Sequence, residues 1–453
     1  MPESSSRSPL GGVDLKRSIL GALLKVAWPV ALSTLLTQLM VLVDAFWIGR
    51  LQTTGALAAV GISGAVYAVL IAAAQLAIAP TMAYVARYTG EGNRALARGV
   101  LFHTLLISLV LSVTLAAVGV PLSLSILKLF GASADVAVQG APYLRILFLI
   151  LPFAFMGSVC FTALQATGDT LSPLLISVGA NVVNLVLDPL LILGIAGFPR
   201  LGILGAGIAT GIATFLNLGI ALLIVNRKRL LSFARVRMKV VGNFLKIGFF
   251  AMIQLLTRPL TGLIMFYIVG LSGVIAQDAF TVGMRIIGLV FIFLTGTSIA
   301  TQALVGQALG ARSPQTARRI VGTAALWGSL LQVVLSLLIF TFASELVSLF
   351  SPGNVEVIAI GTRYLRIISP FLLASPAAMS LSGAQYGAGR TLGPAAAAVA
   401  ANWLIKLPLA YLLSQTAGLG SDGVWIAIGV SVIVETLVTG GFYASGRWLK
   451  GTK

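Results

Sequence analysis

Long apolar stretches alternate with short polar segments along the whole chain. A helix needs roughly 20 mainly apolar residues to cross the hydrocarbon core of a bilayer. A scan with that length predicts about twelve transmembrane spans, at 23–49, 57–86, 96–121, 136–160, 171–195, 203–226, 242–270, 276–308, 317–343, 356–386, 392–415 and 423–446. The sequence lacks the period-two alternation of outer-membrane barrels. We therefore predict an all-α integral membrane protein.

Composition strengthens this prediction. Hydrophobic residues make up 58% of the 453-residue chain and charged residues 9%, with a mean hydropathy of +1.03, whereas soluble domains carry roughly 25% charged residues. The single cysteine, Cys160, excludes an intramolecular disulfide and a thiolate metal cluster. The single histidine, His103, argues against a histidine-based catalytic triad. We therefore expect no cofactor and no enzymatic activity. The first apolar stretch is too long for the core of a signal peptide, so we interpret it as a retained helix.

Basic residues set the orientation of the predicted spans. Most of the 30 Lys and Arg residues fall in the N-terminal tail, in the loops after even-numbered spans and at the C-terminus. Basic residues concentrate on the cytoplasmic side of membrane proteins, so we expect both termini in the cytoplasm of a multi-pass cell-membrane protein. The net charge of +18 then reflects membrane topology, and we expect no nucleic-acid partner. We also expect a monomer in the lipid bilayer.

The two halves of the chain repeat each other at an offset of 221 residues, the distance from Lys25 to Lys246. The same offset relates APYLRI to TRYLRI, GDTLSP to GRTLGP, and Asn181 to Asn402. Six spans per half give both halves the same orientation, which predicts a parallel repeat of two six-helix lobes. The predicted domains are a cytoplasmic tail (1–22), a first lobe (23–226), a basic cytoplasmic linker (227–241), a second lobe (242–446) and a cytoplasmic tail (447–453).

Two acidic residues lie inside apolar spans, where an unpaired carboxylate is costly and usually faces the protein interior or a water-filled cavity. Asp44 lies in LMVLVDAFWIG of span 1, on a stripe with Ser33, Thr37 and Met40, and Asp188 lies in NVVNLVLDP of span 5. Both lie near the far ends of spans that run in the same direction, which permits contact between them but does not require it. Alternatively, Asp188 is a structural hydrogen-bonding group and Asp44 reaches interfacial water.

One face of span 5 is polar. Asn181, Asn184 and Asp188 fall at positions i, i+3 and i+7, which share a helical face. Pro189 has no N–H, so it leaves the Leu185 carbonyl without its usual donor. The face thus offers carboxylate and amide oxygens, which suit a small hard cation or a proton relay. Asn181 has a counterpart in the other half, so a packing role for it is equally open.

The second half lacks these acids. At the repeat offset, Asp44 corresponds to Met265 and Asp188 to Leu409. The charged residues in its spans include Arg258, Arg285, Lys406 and Glu435. An acid-bearing face in one lobe predicts a cation-coupled site there, and we treat Arg285, Lys406 and Glu435 as candidate charge partners. Arg285 and Lys406 either neutralise acids across the lobe interface or serve a separate role. The Tyr and Arg of the repeated YLR elements lie near the outer ends of spans 4 and 10 and are interpreted as interfacial anchors, with a functional role as the alternative.

Several of these elements together resemble the multidrug and toxic compound extrusion (MATE) family of transporters, and specifically its DinF-like branch. They are VDAFWIG in span 1, the YLR and GDTLSP elements, NVVNLVLDP in span 5 and GAGIAT in span 6. The resemblance covers nearly all of the chain. It implies twelve helices in two lobes, a V-shaped cavity and cation-driven export of drugs.

The resemblance also implies roles for individual residues. It assigns cation or proton coupling, and a Na⁺ site if the coupling ion is Na⁺, to Asp44, Asn184, Asp188 and Thr210. It assigns a supporting network to Tyr143 and helix bending in span 1 to Pro29. We add Asn181, Thr37 and Gln38 to that supporting network as candidates, because they are polar residues of spans 5 and 1. Span 4 departs from some relatives, because LPFAFMGSVCF has no asparagine cluster.

The resulting hypothesis is a secondary antiporter, coupled to H⁺ or Na⁺, that exports cationic or amphiphilic small molecules by alternating access between two lobes. The alternative is a flippase for a lipid-linked sugar precursor, in which basic residues of the second lobe hold a pyrophosphate. A membrane enzyme is disfavoured because no nucleophile–base arrangement stands out. ATP-driven pumping is disfavoured because the sequence has no G-x-x-x-x-G-K-[ST] loop.

Overall fold

The computed structural model describes residues 18–51, 55–232 and 238–450. Within those ranges the regular secondary structure is helical and contains no β-strand. The predicted N-terminal tail lies mostly outside the described residues, and so does the part of the predicted linker at 233–237.

The helices of the first half match predicted spans 1 to 6 and keep those numbers. They are Ile19–Gly49, Ala56–Ala73 continued by Gln75–Gly90, Arg94–Leu129, Ala134–Ala166, Leu171–Leu193 and Ile203–Arg227. Span 5 ends at Gly194, whose φ of 74° is a left-handed conformation that favours glycine. A Cβ there would lie 2.9 Å from the backbone nitrogen of Arg200, so the chain turns back tightly just beyond Asp188.

The helices of the second half match spans 7 to 12. They are Met238–Gly270, Val274–Gly310, Pro314–Thr341, Val355–Leu372 with Ser375–Gly387, Leu392–Thr416 and Gly420–Ala444. A short helix, Ala343–Phe350, precedes span 10. Eleven helices of the described chain are long and apolar enough to cross a membrane, and the two parts of span 10 make a twelfth. The predicted fold class is therefore confirmed.

Two spans of the second half are irregular. Span 10 bends by 50° between Leu372 and Ser375, where Pro370 and Pro376 each remove a backbone hydrogen-bond donor. Span 11 contains two π-helical segments, Ala400–Lys406 and Leu412–Thr416. Such segments are rare and are frequent at functional sites.

The chain forms two compact units, which we call the first unit (Leu32–Gly248) and the second unit (the residues up to Ala31 together with those from Phe249 onward). The unit boundaries fall inside spans 1 and 7, whereas the sequence-based lobes begin at 23 and 242. The start of span 1 is buried in the second unit, with Val26 in one core cluster with Leu304. The start of span 7 packs in the first unit, where the ring centroids of Phe244 and Tyr84 are 5.1 Å apart.

Each unit has an apolar core in which small residues allow close helix contacts. In the first unit, Gly119 of span 3 lies against the ring of buried Phe148 of span 4, so that an added Cβ would be 2.0 Å from a ring carbon. In the second unit, Tyr364 and Trp425 are buried with ring centroids 4.3 Å apart. Close backbone approach at small residues is the usual mode of helix association in membranes.

Candidate functional site

Span 5 carries a buried amide–carboxylate pair. Asp188 is 0% exposed and Asn184 6%, whereas Val182 and Val186, each two residues before one of them along the chain, are each 54% exposed. Residues four apart lie on the same helical face, and the Asn184 side-chain amide donates a hydrogen bond of 3.0 Å to Asp188 Oδ1. The other oxygen, Oδ2, is buried and has no hydrogen-bond partner among the described residues. One hydrogen bond thus orients the carboxylate, and its second oxygen remains available to bind a ligand.

Span 1 brings a second carboxyl group to this position. The carboxyl groups of Asp44 and Asp188 lie within hydrogen-bonding range of each other, but ionised carboxylates only accept hydrogen bonds, so this contact supplies no donor to either group unless a proton is present. Asp44 Oδ1 is buried and, within the described chain, lacks a hydrogen-bond partner. Two carboxylates at such close range repel when both are ionised, so a proton or a cation between them would stabilise the pair. The structure therefore joins two residues whose contact the sequence only permits.

A second polar contact shows that spans 1 and 5 run side by side. The Ser33 hydroxyl donates to the Ser177 hydroxyl at 3.4 Å, and Asp44 and Asp188 follow at the same spacing along the two helices. A helix rises 1.5 Å per residue, so this spacing is about 16 Å on each helix. Both contacts belong to the first unit. The two helices therefore keep the same register over roughly three turns.

Two tyrosines complete the surroundings of the acid pair. Tyr143 of span 4 is 7% exposed and interacts electrostatically with both acids and with Tyr67 of span 2. Gly207 of span 6 leaves room for the Tyr143 ring, since an added Cβ would lie 3.1 Å from its Cδ2 atom. The sequence pattern does not single out Tyr67. The one sequence feature that could have identified Tyr67 is its position in the small-residue stretch GISGAVYA. A residue that only packs against neighbours there would not need a hydroxyl group.

The other predicted residues of the first unit surround this cluster less closely. Thr210 is half-buried on span 6, one turn beyond Gly207. Asn181 is half-buried, and no hydrogen bond to its amide nitrogen exists among the residues that the structure describes. Thr37 and Gln38 are exposed, and the Thr37 hydroxyl donates to the Ser33 carbonyl at 3.0 Å within its own helix. The acid pair with Asn184 and the two tyrosines is therefore the compact part of the site.

Span 1 stays helical through Pro29, from Ile19 to Gly49. Pro29 lies two residues before the boundary that separates the two units within this helix. The bending role of Pro29 stays a prediction. Because Pro29 lies close to this boundary, the bend is predicted at the same point of the helix.

The oxygen atoms of the acid pair fit a proton or a small hard cation. Two carboxyl groups and the Asn184 amide oxygen are hard donors, and two of the carboxylate oxygens are buried with no protein partner in the described structure. The described residues contain no group of three or more His, Cys, Asp or Glu side chains that could hold a metal ion. The donor set therefore does not match a transition-metal centre.

The candidate charge partners of the second half have contacts inside the second unit. Glu435 Oε1 lies 3.2 Å from Arg258 Nη2. The Lys406 ammonium donates to Asn402 Oδ1 at 2.5 Å and to the Thr261 hydroxyl at 3.2 Å. Arg285 is exposed. Glu435 thus has a cationic partner in its own unit, and the partners of Lys406 are neutral.

The interpretation of the repeated YLR tyrosines as interfacial anchors is wrong. Tyr143 and Tyr364 are 7% and 1% exposed, and both belong to core clusters. The arginines two positions later, Arg145 and Arg366, are exposed. The helix places residues two apart on different faces, so the tyrosine points into its unit while the arginine points outward.

An all-helical bundle in two units, with a buried carboxyl pair inside apolar helices, has the organisation of a secondary transporter. The MatE family model matches residues 29–190 and 250–412, once in each half of the chain. The chain belongs to the MatE family. It is therefore a transporter and not an enzyme, as predicted, and ion-coupled antiport is the usual behaviour of this family.

Known relatives cover nearly the whole chain. The probable multidrug resistance protein YoeA of Bacillus subtilis (strain 168) is 28% identical over 424 residues, which are 92% of this chain and 91% of the relative. The probable multidrug resistance protein NorM of Thermotoga maritima is 26% identical over 94% of this chain and 93% of the relative. A solved structure described as the outward-facing conformation of a multidrug resistance MATE family transporter matches with a TM-score of 0.88 at 23% identity, with full coverage of both chains. That similarity confirms the fold.

Proposed function

We propose that the protein is a cation-coupled antiporter that exports cationic or amphiphilic compounds, with Asp44 and Asp188 as the coupling site. The observation that carries this proposal is the contact between two carboxyl groups that each keep a buried oxygen without a protein partner among the described residues. A coupling ion of either kind, H⁺ or Na⁺, would satisfy those oxygens.

The coupling follows from the electrostatics of the pair. With a proton or Na⁺ between them, the two carboxyl groups attract each other and hold spans 1 and 5 together at this point. Without the ion, two like charges in an apolar setting repel, and the arrangement that keeps them together is destabilised. An ion shifts a conformational equilibrium only by its different affinity for the two states. The distance between the two acids supplies such a difference.

A cationic substrate would compete for the same negative charge. Release of the coupling ion leaves a net negative site, which favours a cationic or amphiphilic guest, and return of the ion disfavours it. The names of the relatives, which describe multidrug resistance proteins, are consistent with such cargo. Exchange of ion for drug at one charged site needs no further energy source.

The alternative, a flippase for a lipid-linked sugar precursor, receives less support. A pyrophosphate headgroup would be repelled by the acid pair of the first unit. The charge distribution outside the spans favours a multi-pass cell-membrane protein with cytoplasmic termini, and we propose that orientation for the exporter.

The test uses purified transporter in proteoliposomes, with H⁺ and Na⁺ gradients imposed separately and efflux of a cationic dye as the readout. We expect gradient-driven efflux for the wild type and its loss in Asp44→Asn and Asp188→Asn, because an amide cannot exchange a proton or balance the charge of Na⁺. Asp278→Asn is the matched control, since Asp278 is an exposed aspartate of the second unit. Wild-type efflux in both site variants would refute the site, and efflux that responds to neither gradient would refute the coupling.

A further inference from the structure

The second unit contains a cavity of about 290 Å³ that the transport site does not use. Its lining includes three charged side chains, those of Arg258, Lys406 and Glu435. All lining residues lie between Arg258 and Glu435 and belong to the second unit. Ligand sites are typically concave, mostly apolar and provided with a few polar groups that fix orientation. The volume lies just below the range for small-molecule sites, roughly 300–1,000 Å³.

The cavity is the repeat counterpart of the acid pair. Three of its lining residues, Met265, Tyr364 and Asn402, stand at the repeat offset from Asp44, Tyr143 and Asn181. Tyr143 interacts with both acids in the first unit. The cavity of the second unit is therefore lined at the position equivalent to Asp44, where it has a methionine, whereas Leu409, the counterpart of Asp188, is not among its lining residues.

The charge of the cavity is opposite to that of the acid pair. Arg258 and Glu435 form an ion pair with an N–O distance of 3.2 Å, and both also interact electrostatically with Lys406. Lys406 is bonded to the neutral oxygens of Asn402 and Thr261, and no ion pair among the described residues includes it. The three charged side chains thus leave one net positive charge at the cavity wall. Lys406 is half-buried, and a cation removed from water is less costly when an anion compensates it.

The backbone presents Lys406 to the cavity by a special conformation. Asn402 and Lys406 both lie in the π-helical segment Ala400–Lys406 of span 11, and both line the cavity. Single π-helical turns are rare and occur frequently at functional sites. An ammonium group has three donors, and two are used by Asn402 and Thr261. One donor is therefore left for a ligand.

The rest of the wall is apolar and roomy. Phe280 and Tyr364 present aromatic rings, and Met265, Met284 and Met379 present flexible thioethers that adapt to a ligand shape. Gly288 also lines the cavity, and a Cβ added to it would meet nothing within 4 Å. The wall therefore accepts an apolar body beside the single positive charge.

We propose that this cavity binds a monoanionic amphiphile, with a carboxylate or sulfonate at Lys406 and an aromatic or aliphatic body against Phe280 and the methionines. The site is separate from the coupling site of the first unit and does not depend on which ion drives transport. Its ligand class is opposite in charge to the cationic cargo proposed for the acid pair.

The experiment measures binding of three bicyclic probes to the purified full-length protein by isothermal titration calorimetry. The probes are 2-naphthoate, the neutral alcohol 2-naphthylmethanol and the cation 2-naphthylmethylammonium. We expect naphthoate to bind at least about tenfold more tightly than the other two, because only it pairs with a desolvated ammonium group. Lys406→Met should weaken naphthoate binding at least about tenfold, and Lys406→Arg should retain it.

Matched variants separate charge from shape. The double variant Arg258→Met with Glu435→Gln removes the ion pair but keeps the net positive charge, so naphthoate binding should persist. Gly288→Leu fills the cavity and should abolish binding of all three probes. Gly219→Leu is its control, because Gly219 is an exposed helical glycine of the first unit with equally open surroundings.

Several results would overturn the proposal. They are the absence of saturable naphthoate binding to the wild type, equal binding of the cationic probe, and wild-type affinity in Lys406→Met or Gly288→Leu. Asp188→Asn should bind naphthoate like the wild type. If Asp188→Asn lacks dye efflux but still binds naphthoate, loss of the coupling site does not affect the anion site, and the two proposals can be tested independently.

Discussion

Span 5 and span 11 occupy equivalent places in the two halves of the chain, and each carries an asparagine four residues before a charged side chain. In span 5 the Asn184 amide donates to the Asp188 carboxylate at 3.0 Å. In span 11 the Asn402 carbonyl accepts from the Lys406 ammonium at 2.5 Å. An amide is both donor and acceptor, so the same scaffold holds either sign of charge. The residue four positions later decides which sign it is.

The register of the two pairs differs. At the repeat offset, Asn402 corresponds to Asn181 and not to Asn184. Span 5 is a regular α-helix, whereas the segment that holds Asn402 and Lys406 is π-helical. A wider helical turn changes which side chains face the interior. The two halves thus reach analogous pairs by different local backbones, which suggests separate specialisation of two sites built on one repeat.

The largest expected effect is on ion-driven dye efflux. It comes from replacing the acid of span 5 with the residue that stands at the equivalent position of span 11. Asp188→Leu installs the residue that stands at the repeat-equivalent position, Leu409. We expect ion-driven dye efflux from proteoliposomes to fall to the level of protein-free vesicles, because the pair loses its second carboxyl group. Met265→Leu, at the counterpart of Asp44, is the control and should leave efflux unchanged. Efflux that survives in Asp188→Leu would mean that one acid suffices.

A smaller effect is expected at the amides. Asn184→Leu removes the donor to Asp188 and leaves a second buried oxygen unsatisfied, which costs about 1–3 kcal/mol and should lower efflux about tenfold. Asn402→Leu should leave efflux unchanged and weaken naphthoate binding, because Lys406 loses the acceptor that holds its ammonium group in place at the cavity wall. Equal loss of efflux in both variants would contradict the division of roles between the spans.

The tyrosines that correspond in the two halves provide a comparison of packing. A Cβ at Gly207 would lie 3.1 Å from the Tyr143 ring, and one at Gly283 would lie 2.2 Å from the Tyr364 ring. Overpacking of a tight core costs about 1–3 kcal/mol, so Gly283→Ala should lower the melting temperature measured by tryptophan fluorescence. Gly207→Ala should lower it less, since Tyr143 needs to move by only a few tenths of an ångström. The reverse order would show that the first unit is the more tightly packed.

The sequence predicts the fold class well because hydrophobic length and repeat offset are strong, redundant signals in a membrane protein. It also identifies Asp44 and Asp188 because an acid in an apolar span is rare. It cannot show that the two acids meet, since helix packing depends on small residues spread over many positions. For the same reason, the sequence does not predict that Tyr67 lies near the site or that the segment ending at Lys406 is π-helical. The sequence does not show that the tyrosines of the YLR elements are buried, because tyrosine suits both an interface and a core.

The loops before spans 5 and 11 differ in charge as well, since GDTLSP has Asp169 where GRTLGP has Arg390. Asp169 Oδ2 lies 2.5 Å from Lys228 Nζ, and Asp169 also accepts hydrogen bonds from Ser172. Burial raises the pKa of the Asp169 carboxyl, but the bonds from Lys228 and Ser172 outweigh it, so the pKa falls below its ordinary value of 3.8.

A depressed pKa means that the folded state prefers the ionised carboxylate. This contribution to stability is therefore complete above about pH 4, the ordinary value for aspartate, and is lost as the pH falls through the lowered value. Asp169→Asn should reduce the free energy of unfolding by about 0.5 kcal/mol near neutral pH, because the pair is partly exposed to water. The difference in melting temperature between wild type and Asp169→Asn should shrink as the pH is lowered below about 4. A difference that stays constant from neutral pH to pH 3 would show that Asp169 acts by packing and not by its charge.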